Sequence, residues 1–264
     1  MPHALFIALF GLLSIVTLGT IIWLLSLALR DVSIIDIAWG LGFIVLASIY
    51  ALGVGAQTPR QIVLLFMVTV WGLRLSLYLL HRKWGTPEDY RYQAMRASHG
   101  KRFAWISLVT VFWLQAVILW VVALPLFEVF RQPGPEQLTA LDLAAILAFA
   151  IGLFFEAVGD WQLSRFKADP VNRGTILDRG LWRYTRHPNY FGDALVWWGF
   201  FLMAAANPGS WWTIVSPILM TILLLKISGV ALLEKTLTEA KPGYRDYVQA
   251  TSAFIPWPPR RRHG

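Results

Sequence analysis

Between residues 4 and 29 the chain runs for 26 positions without a charged side chain. No other feature limits the fold as severely. A hydrocarbon layer about 30 Å thick is crossed by roughly 20 apolar residues at helical rise. A surface helix of a soluble protein keeps a polar face for water, and this run has none. It is too long for the apolar part of a secretion signal, and no basic stretch precedes it. It is therefore read as a first membrane helix. Composition points the same way: 57% of the 264 residues are hydrophobic and 14% are charged, against about 25% charged in soluble domains. A disordered chain and an ordinary soluble domain are both excluded.

Six further stretches have the required character. They cover residues 34–56 with Asp36 near the start, 61–80 with Arg74, 104–127, 143–163 with Glu156 and Asp160 in the last turns, 190–206 with Asp193 in its opening turn, and 211–233 with Lys226. The expected fold is all-α, a polytopic membrane protein of seven transmembrane helices forming a single domain over residues 1–264. Of the 23 Lys and Arg, nineteen fall in alternate connections and the C-terminal tail, while the opposite side has only Arg60 and Arg131. The positive-inside rule then puts the N-terminus outside and the C-terminus in the cytoplasm, which an odd number of spans satisfies. The same rule accounts for the net charge of +8, so no nucleic-acid partner is expected. The simplest home is a bacterial inner membrane.

The chain has no cysteine. Disulfides, thiolate nucleophiles, Cys-ligated zinc and iron–sulfur clusters are thereby excluded. His81, His99, His187 and His263 lack ligand spacing, so no metal is expected. No Gly-x-Ser-x-Gly elbow or Walker loop occurs, and Gly53-Val-Gly55 lacks the third glycine of a dinucleotide turn.

Polar residues concentrate instead between Asp160 and Asp193. Six cations there interleave with Trp182, Tyr184 and Tyr190, and the segment closes on Arg186-His-Pro-Asn-Tyr-x-Gly-Asp193. Guanidinium forks grip phosphate oxygens, aromatic faces suit a flat ring, and Gly174, Gly180 and Gly192 would let backbone approach a ligand. The segment suits a phosphorylated cofactor with an aromatic ring, or an anionic lipid head group. Two other patches stand out. One is Trp71-Gly-Leu-Arg74 followed by Glu88-Asp-Tyr-Arg-Tyr92. The other is Glu234, Tyr244-Arg-Asp-Tyr247 and Ile255-Pro256.

Taken together and in order, these patches resemble the bacterial, DUF1295-like branch of the steroid 5α-reductase family. The His-Pro-Asn-Tyr-x-Gly element alone is also similar to sterol C14-reductases and to isoprenylcysteine-type carboxyl methyltransferases. The resemblance implies a membrane oxidoreductase of steroid or lipid metabolism. It would use NADPH to saturate the C4–C5 double bond of a 3-oxo-Δ4-steroid or a similar lipophilic enone. The cofactor part would lie mainly within residues 156–256. Carried over by position, Asp160, Lys167, Arg179, Tyr184, Asn189 and Asp193 fall in the cofactor region, with Asn172, Arg173, Arg186, His187 and Tyr190 beside them. Arg74 matches an arginine of the third span, and Tyr244, Arg245 and Tyr247 would close over the cofactor. The animal enzymes have a tyrosine where this chain has Trp71, and a second-span glutamate where it has Asp36. A donor near the enone oxygen lowers the barrier to hydride addition. Asp36 in its acid form, Tyr78 and the indole N–H of Trp71 are the candidates. The alternative is an S-adenosylmethionine-dependent methyltransferase acting on a membrane-bound acceptor. A transporter is less well supported, because no related halves are visible.

Overall fold

A computed structural model describes residues 2–55, 58–132, 134–135, 137–227 and 243–260. Among these every regular element is helical. The chain divides into two compact units. Unit 1 comprises Met1–Thr139 with Met203–Thr213, and unit 2 comprises Ala140–Leu202 with Ile214–Gly264.

Unit 1 opens with α1 (Pro2–Leu29), α2 (Ile34–Val54) and α3 (Pro59–Lys83). α1 ends where Arg30 takes the left-handed conformation at φ 54° and the Asp31 N–H reaches back to the Ser26 carbonyl. α3 begins with a capping box between Thr58 and Gln61, with Pro59 in the first turn where its missing N–H costs nothing. The fourth apolar stretch is preceded by α4 (Tyr90–His99) and built from α5 (Phe103–Ser107), wide turns over Leu108–Trp113, and α6 (Leu114–Val122). It stops at Val122 rather than at the expected residue 127, because Pro125 cannot donate into the helix before it; α7 (Leu124–Arg131) starts afresh there.

Three devices hold unit 1 together. α2 and α3 meet at glycine. A Cβ on Gly40 would lie 2.2 Å from the Gly72 carbonyl oxygen, so only bare backbone fits. Beside that contact the Ser76 hydroxyl donates to the Ile37 carbonyl at 2.7 Å. α1 is joined to the fourth stretch by indole N–H groups, which need an acceptor wherever water is excluded. Trp23 donates to the Ala104 carbonyl (2.9 Å), Trp113 to Thr20 (3.0 Å) and Trp120 to the Ala8 carbonyl (3.0 Å). A polar knot closes the far end of α3. There Arg60, 1% exposed, donates to Asn207, while buried Glu128 accepts from Arg131, Gln132 and Ser210.

Unit 2 contains α8 (Ala140–Ala168), short 3-10 turns at Pro170–Asn172 and Gly180–Arg183, and α9 (Pro188–Ala205), whose last residues enter unit 1. α10 (Val215–Ile222) continues as wide turns over Leu223–Ile227, and α11 (Tyr244–Ala250) leads into the tail. α8 and α9 also cross on glycine, Gly152 against Gly192. The tail is fastened to the segment before α9. The Arg186 guanidinium donates to the Val248 (3.0 Å) and Thr251 (2.6 Å) carbonyls, and the Trp257 N–H donates to the Tyr184 carbonyl.

Among the described residues five helical stretches are long and apolar enough to cross a membrane: His3–Leu29, Ile34–Val54, Pro59–Lys83, Tyr90–Val122 and Ala140–Ala168. The chain is a polytopic membrane protein. Of the remaining two expected spans, α9 has a polar first turn with Asn189 and Asp193, and the described part of the last, Trp211–Lys226, is shorter. The remainder of that last stretch, Glu234, Lys235, Lys241, Arg261, Arg262 and His263 lie outside the described residues.

Candidate functional site

In unit 1 the Glu88-Asp-Tyr-Arg-Tyr92 motif folds around the turn between α1 and α2. Glu88 accepts the Val32 N–H at 2.8 Å and is gripped by both arms of Arg96 (2.8 and 3.0 Å). Asp89 caps α4 through the Arg91 N–H, and its own N–H donates to Ser33. Its carboxylate also orients the Arg91 side chain at 2.9 Å, and that guanidinium reaches Asp36 at 3.5 Å. The Tyr92 hydroxyl donates to the other Asp36 oxygen at 3.3 Å. The motif thus converges on Asp36. A crevice of about 140 Å³ lies beside it, lined among others by Ser33, Asp36, Arg82, Lys83 and Asp89.

Asp31 and Asp89 lie between the spanning helices and are charged partners of this crevice. Burial opposes ionisation of Asp31, but hydrogen bonds from Lys83 and Ser33 outweigh it and lower its pKa. Burial likewise opposes Asp89, and Arg91 more than compensates. Both groups ionise more readily folded than unfolded. They stabilise unit 1 fully above the ordinary aspartate value of about 4, and that contribution is lost as pH falls through their depressed folded values. The thermal midpoint in detergent is expected to fall as pH drops below about 4, and less steeply in the Asp31→Asn, Asp89→Asn double variant. Parallel curves for the two proteins would contradict this.

The other expected polarising residues have different surroundings. Trp71 is 0% exposed, its ring 5.6 Å from Phe43. Tyr78 is flanked by two guanidiniums, Arg74 at 5.2 Å and Arg82 at 5.7 Å from its ring centre. Arg82 lines the Asp36 crevice, so the end of α3 contributes charge to it.

Unit 2 holds a larger opening. A cleft of about 480 Å³ lies along the last turns of α8, lined among others by Trp161, Arg165, Phe166, Asn172 and Arg179. Each arginine is set against a ring. Arg165 lies 5.3 Å from the centre of Trp161 and Arg179 lies 5.9 Å from the centre of Phe166. Stacking of this kind fixes the plane of a guanidinium while leaving its N–H edge available. The turn that carries Arg179 is anchored by Gln162, which accepts the Leu181 N–H at 3.0 Å, and by Trp182, which donates to the Gly159 carbonyl at 3.1 Å. Gly180 is required there: φ is +63°, and a Cβ would strike Gln162 at 2.4 Å. Asn172 bonds the Phe166 carbonyl at 3.0 Å and so finishes α8.

The remaining expected cofactor residues divide by environment. Asp160 is 4% exposed and accepts from Asn189 at 3.0 Å, with buried Glu156 one turn earlier on α8. His187 is buried and stacks on Tyr190 with ring planes 4° apart. Lys167, Arg173, Tyr184 and Arg245 are exposed, and Asp193 is part-buried. Tyr244 and Tyr247 are buried, and the Tyr247 hydroxyl donates to the Trp182 carbonyl, so they fasten the tail. Arg186, grouped above with the cofactor cations, holds tail carbonyls. Gly192 faces Gly152 and Glu156 rather than open space. Trp161, Gln162, Arg165 and Phe166 are the site residues that motif matching passes over. Helical spacing of four past residue 163 pairs Trp161 with Arg165 and Gln162 with Phe166, and would have found them.

Comparison with known proteins gives a family. A protein of Schizosaccharomyces pombe, described only as "Uncharacterized protein C594.04c", is 28% identical over 281 aligned positions that cover 93% of this chain and 78% of the relative. No solved structure matches. The model of the family described as "Protein of unknown function (DUF1295)" matches residues 22–251, and the chain belongs to that family.

Proposed function

We propose that this protein is an NADPH-dependent reductase that saturates the C4–C5 double bond of a 3-oxo-Δ4-steroid or a comparable lipophilic enone. The observation that carries the reading is the cleft of unit 2, where two ring-stacked arginines border a space of about 480 Å³. That donor set fits a dinucleotide: two fixed guanidinium edges for phosphate groups, and Asn172 and Gln162 for sugar or amide groups. S-adenosylmethionine, which has no phosphate, leaves such a pair of cations without a task. The motif resemblance to the steroid 5α-reductases supplies the reaction class.

When bound, the nucleotide supplies the hydride, and the protein positions and polarises. Arg165 and Arg179 hold phosphate, and Asp160 with Asn189 offers a buried polar pair in the same unit. Asp36 provides the polar end for an acceptor whose body is apolar. In this reading seven helices span a bacterial inner membrane with the basic connections and the cleft on the cytoplasmic side, and the acceptor arrives from lipid.

The test is a thermal titration of the purified protein in detergent. NADPH is expected to raise the midpoint by several degrees at saturation, NADH less, and S-adenosylmethionine not at all. Stabilisation by S-adenosylmethionine alone would replace this reading with the methyltransferase.

A further inference from the structure

The exposed side of α8 is a single stripe. Leu143, Leu147, Ile151, Phe154 and Trp161 are all exposed, and at about 100° per residue they fall within less than a quarter of the helix circumference. Arg165, four residues after Trp161, continues the same line. The opposite side carries the buried Ala145, Phe149, Gly152 and Glu156. From Leu143 to Trp161 the stripe is about 27 Å long at helical rise, close to the roughly 30 Å of a hydrocarbon layer. Trp161 therefore marks one edge of that layer, where indole rings concentrate. Arg165 stands about 6 Å further on, within a head-group layer about 5 to 7 Å deep.

This stripe runs into the cleft of unit 2. Trp161 and Arg165 belong to both: they end the apolar line, and they border the opening of about 480 Å³. An arginine that merely snorkels keeps its rotamer freedom. Here the guanidinium lies 5.3 Å from the Trp161 ring centre, and the stacking fixes it. A phosphate arriving at that height, on a molecule whose chain lies along Ile151 and Phe154, meets an N–H edge already in place. The surrounding charge selects the molecule. Arg179 borders the same opening, and the acid of its lining, Asp169, is turned to the Val171 N–H at 3.0 Å. A head group that bears an ammonium would carry its own cation toward two guanidiniums. An anionic head group would not.

We infer that Trp161 and Arg165 form a site for an anionic phospholipid, its acyl chain along the exposed face of α8 and its phosphate on Arg165, and that this lipid contends with the nucleotide for that guanidinium. The lipid site stands on the helix register and the cleft alone. The competition rests on the reductase reading, since it needs a nucleotide in the cleft. A phosphate held on Arg165 leaves the nucleotide with Arg179 only. The lipid thus acts as a brake whose strength follows the anionic content of the surrounding leaflet.

The experiment has two arms, both on the full chain. In the first, protein purified in mild detergent is titrated with phosphatidylglycerol or with phosphatidylcholine of the same acyl chains, and bound lipid is counted by native mass spectrometry. The parent is expected to retain phosphatidylglycerol in preference to phosphatidylcholine. Arg165→Gln is expected to weaken that retention roughly tenfold, the value of one charge-assisted hydrogen bond, and Trp161→Leu to weaken it in the same direction. Lys101→Gln, which removes an exposed cation of unit 1, is expected to change nothing. Equal retention of the two lipids, an equal loss in Lys101→Gln and Arg165→Gln, or displacement of the lipid by glycerol phosphate at matched concentration overturns the site. The second arm measures NADPH affinity in phosphatidylcholine nanodiscs with and without phosphatidylglycerol. The parent is expected to bind NADPH several-fold more weakly in the anionic discs, and Arg165→Gln to depend much less on the lipid. The same ratio for both proteins overturns the competition. NADPH binding in neither disc, beside lipid retention that depends on Arg165, keeps the lipid site and removes the reductase reading together with the competition. Arg165→Gln changes an exposed side chain and is expected to melt with the parent; should it not fold, Trp161→Leu decides.

Discussion

Gly192→Ala is expected to destabilise the detergent-solubilised protein by about 3 kcal/mol or more, the upper range for an overpacked contact. The new Cβ would sit 2.4 Å from the Gly152 carbonyl oxygen and 2.5 Å from the Glu156 nitrogen. Both are helix backbone atoms and cannot swing aside as a side-chain tip can. α8 and α9 would have to separate, loosening the Asp160–Asn189 bond with them. Gly174→Ala is the natural contrast. It also stands in the polar segment, at φ +78°, but nothing lies within 4 Å of its Cβ position, so only the left-handed backbone opposes it, at about 1 kcal/mol. Melting curves of the two variants separate two reasons for a glycine in this motif. A Gly192→Ala protein that melts with the parent and loses only ligand affinity would restore the idea that Gly192 lets backbone approach a ligand.

The second large effect is on nucleotide affinity. Arg179→Ala is expected to raise the Kd for NADPH roughly 10- to 100-fold, the value of one or two charge-assisted hydrogen bonds. Arg165→Ala is expected to act in the same direction. Arg179→Lys is expected to restore little, since an ammonium neither stacks on Phe166 nor presents a flat fork. Asp36→Asn provides the opposite pattern, with unchanged Kd and lost turnover. Isothermal titration of the four variants reads this directly. Equal affinity for Arg179→Ala and the parent would remove the cleft from the binding site.

The hydrophobic stretches were legible because a membrane asks for one thing, sustained apolarity, and the first three expected spans lie within about three residues of α1, α2 and α3. Helix ends were less so. Pro125 ends a helix inside an apolar run, and α8 continues five residues beyond the expected residue 163 because Trp161, Arg165 and Phe166 keep helical spacing after hydrophobicity fades. The Glu88-Asp-Tyr-Arg-Tyr92 motif could be seen as unusual, but not that it converges on Asp36, because that needs a pairing across more than fifty residues. Composition made Arg186 look like another phosphate ligand. Its partners are peptide carbonyls of the tail, and carbonyls leave no mark in a sequence. The polar knot of Arg60, Asn207 and Glu128 pairs residues more than eighty positions apart, which no local pattern shows.

Because Arg186 holds the tail by its main chain, the exposed side chains of that stretch, unlike buried Tyr244 and Tyr247, can be exchanged. Gln249 is exposed, and the chain contains no cysteine. Gln249→Cys would therefore create a single thiol, reactive at one address and set on a hydrogen-bonded anchor. A fluorophore or spin label there would report distances and motions with no background from native sulfhydryls, and with no prior removal of any.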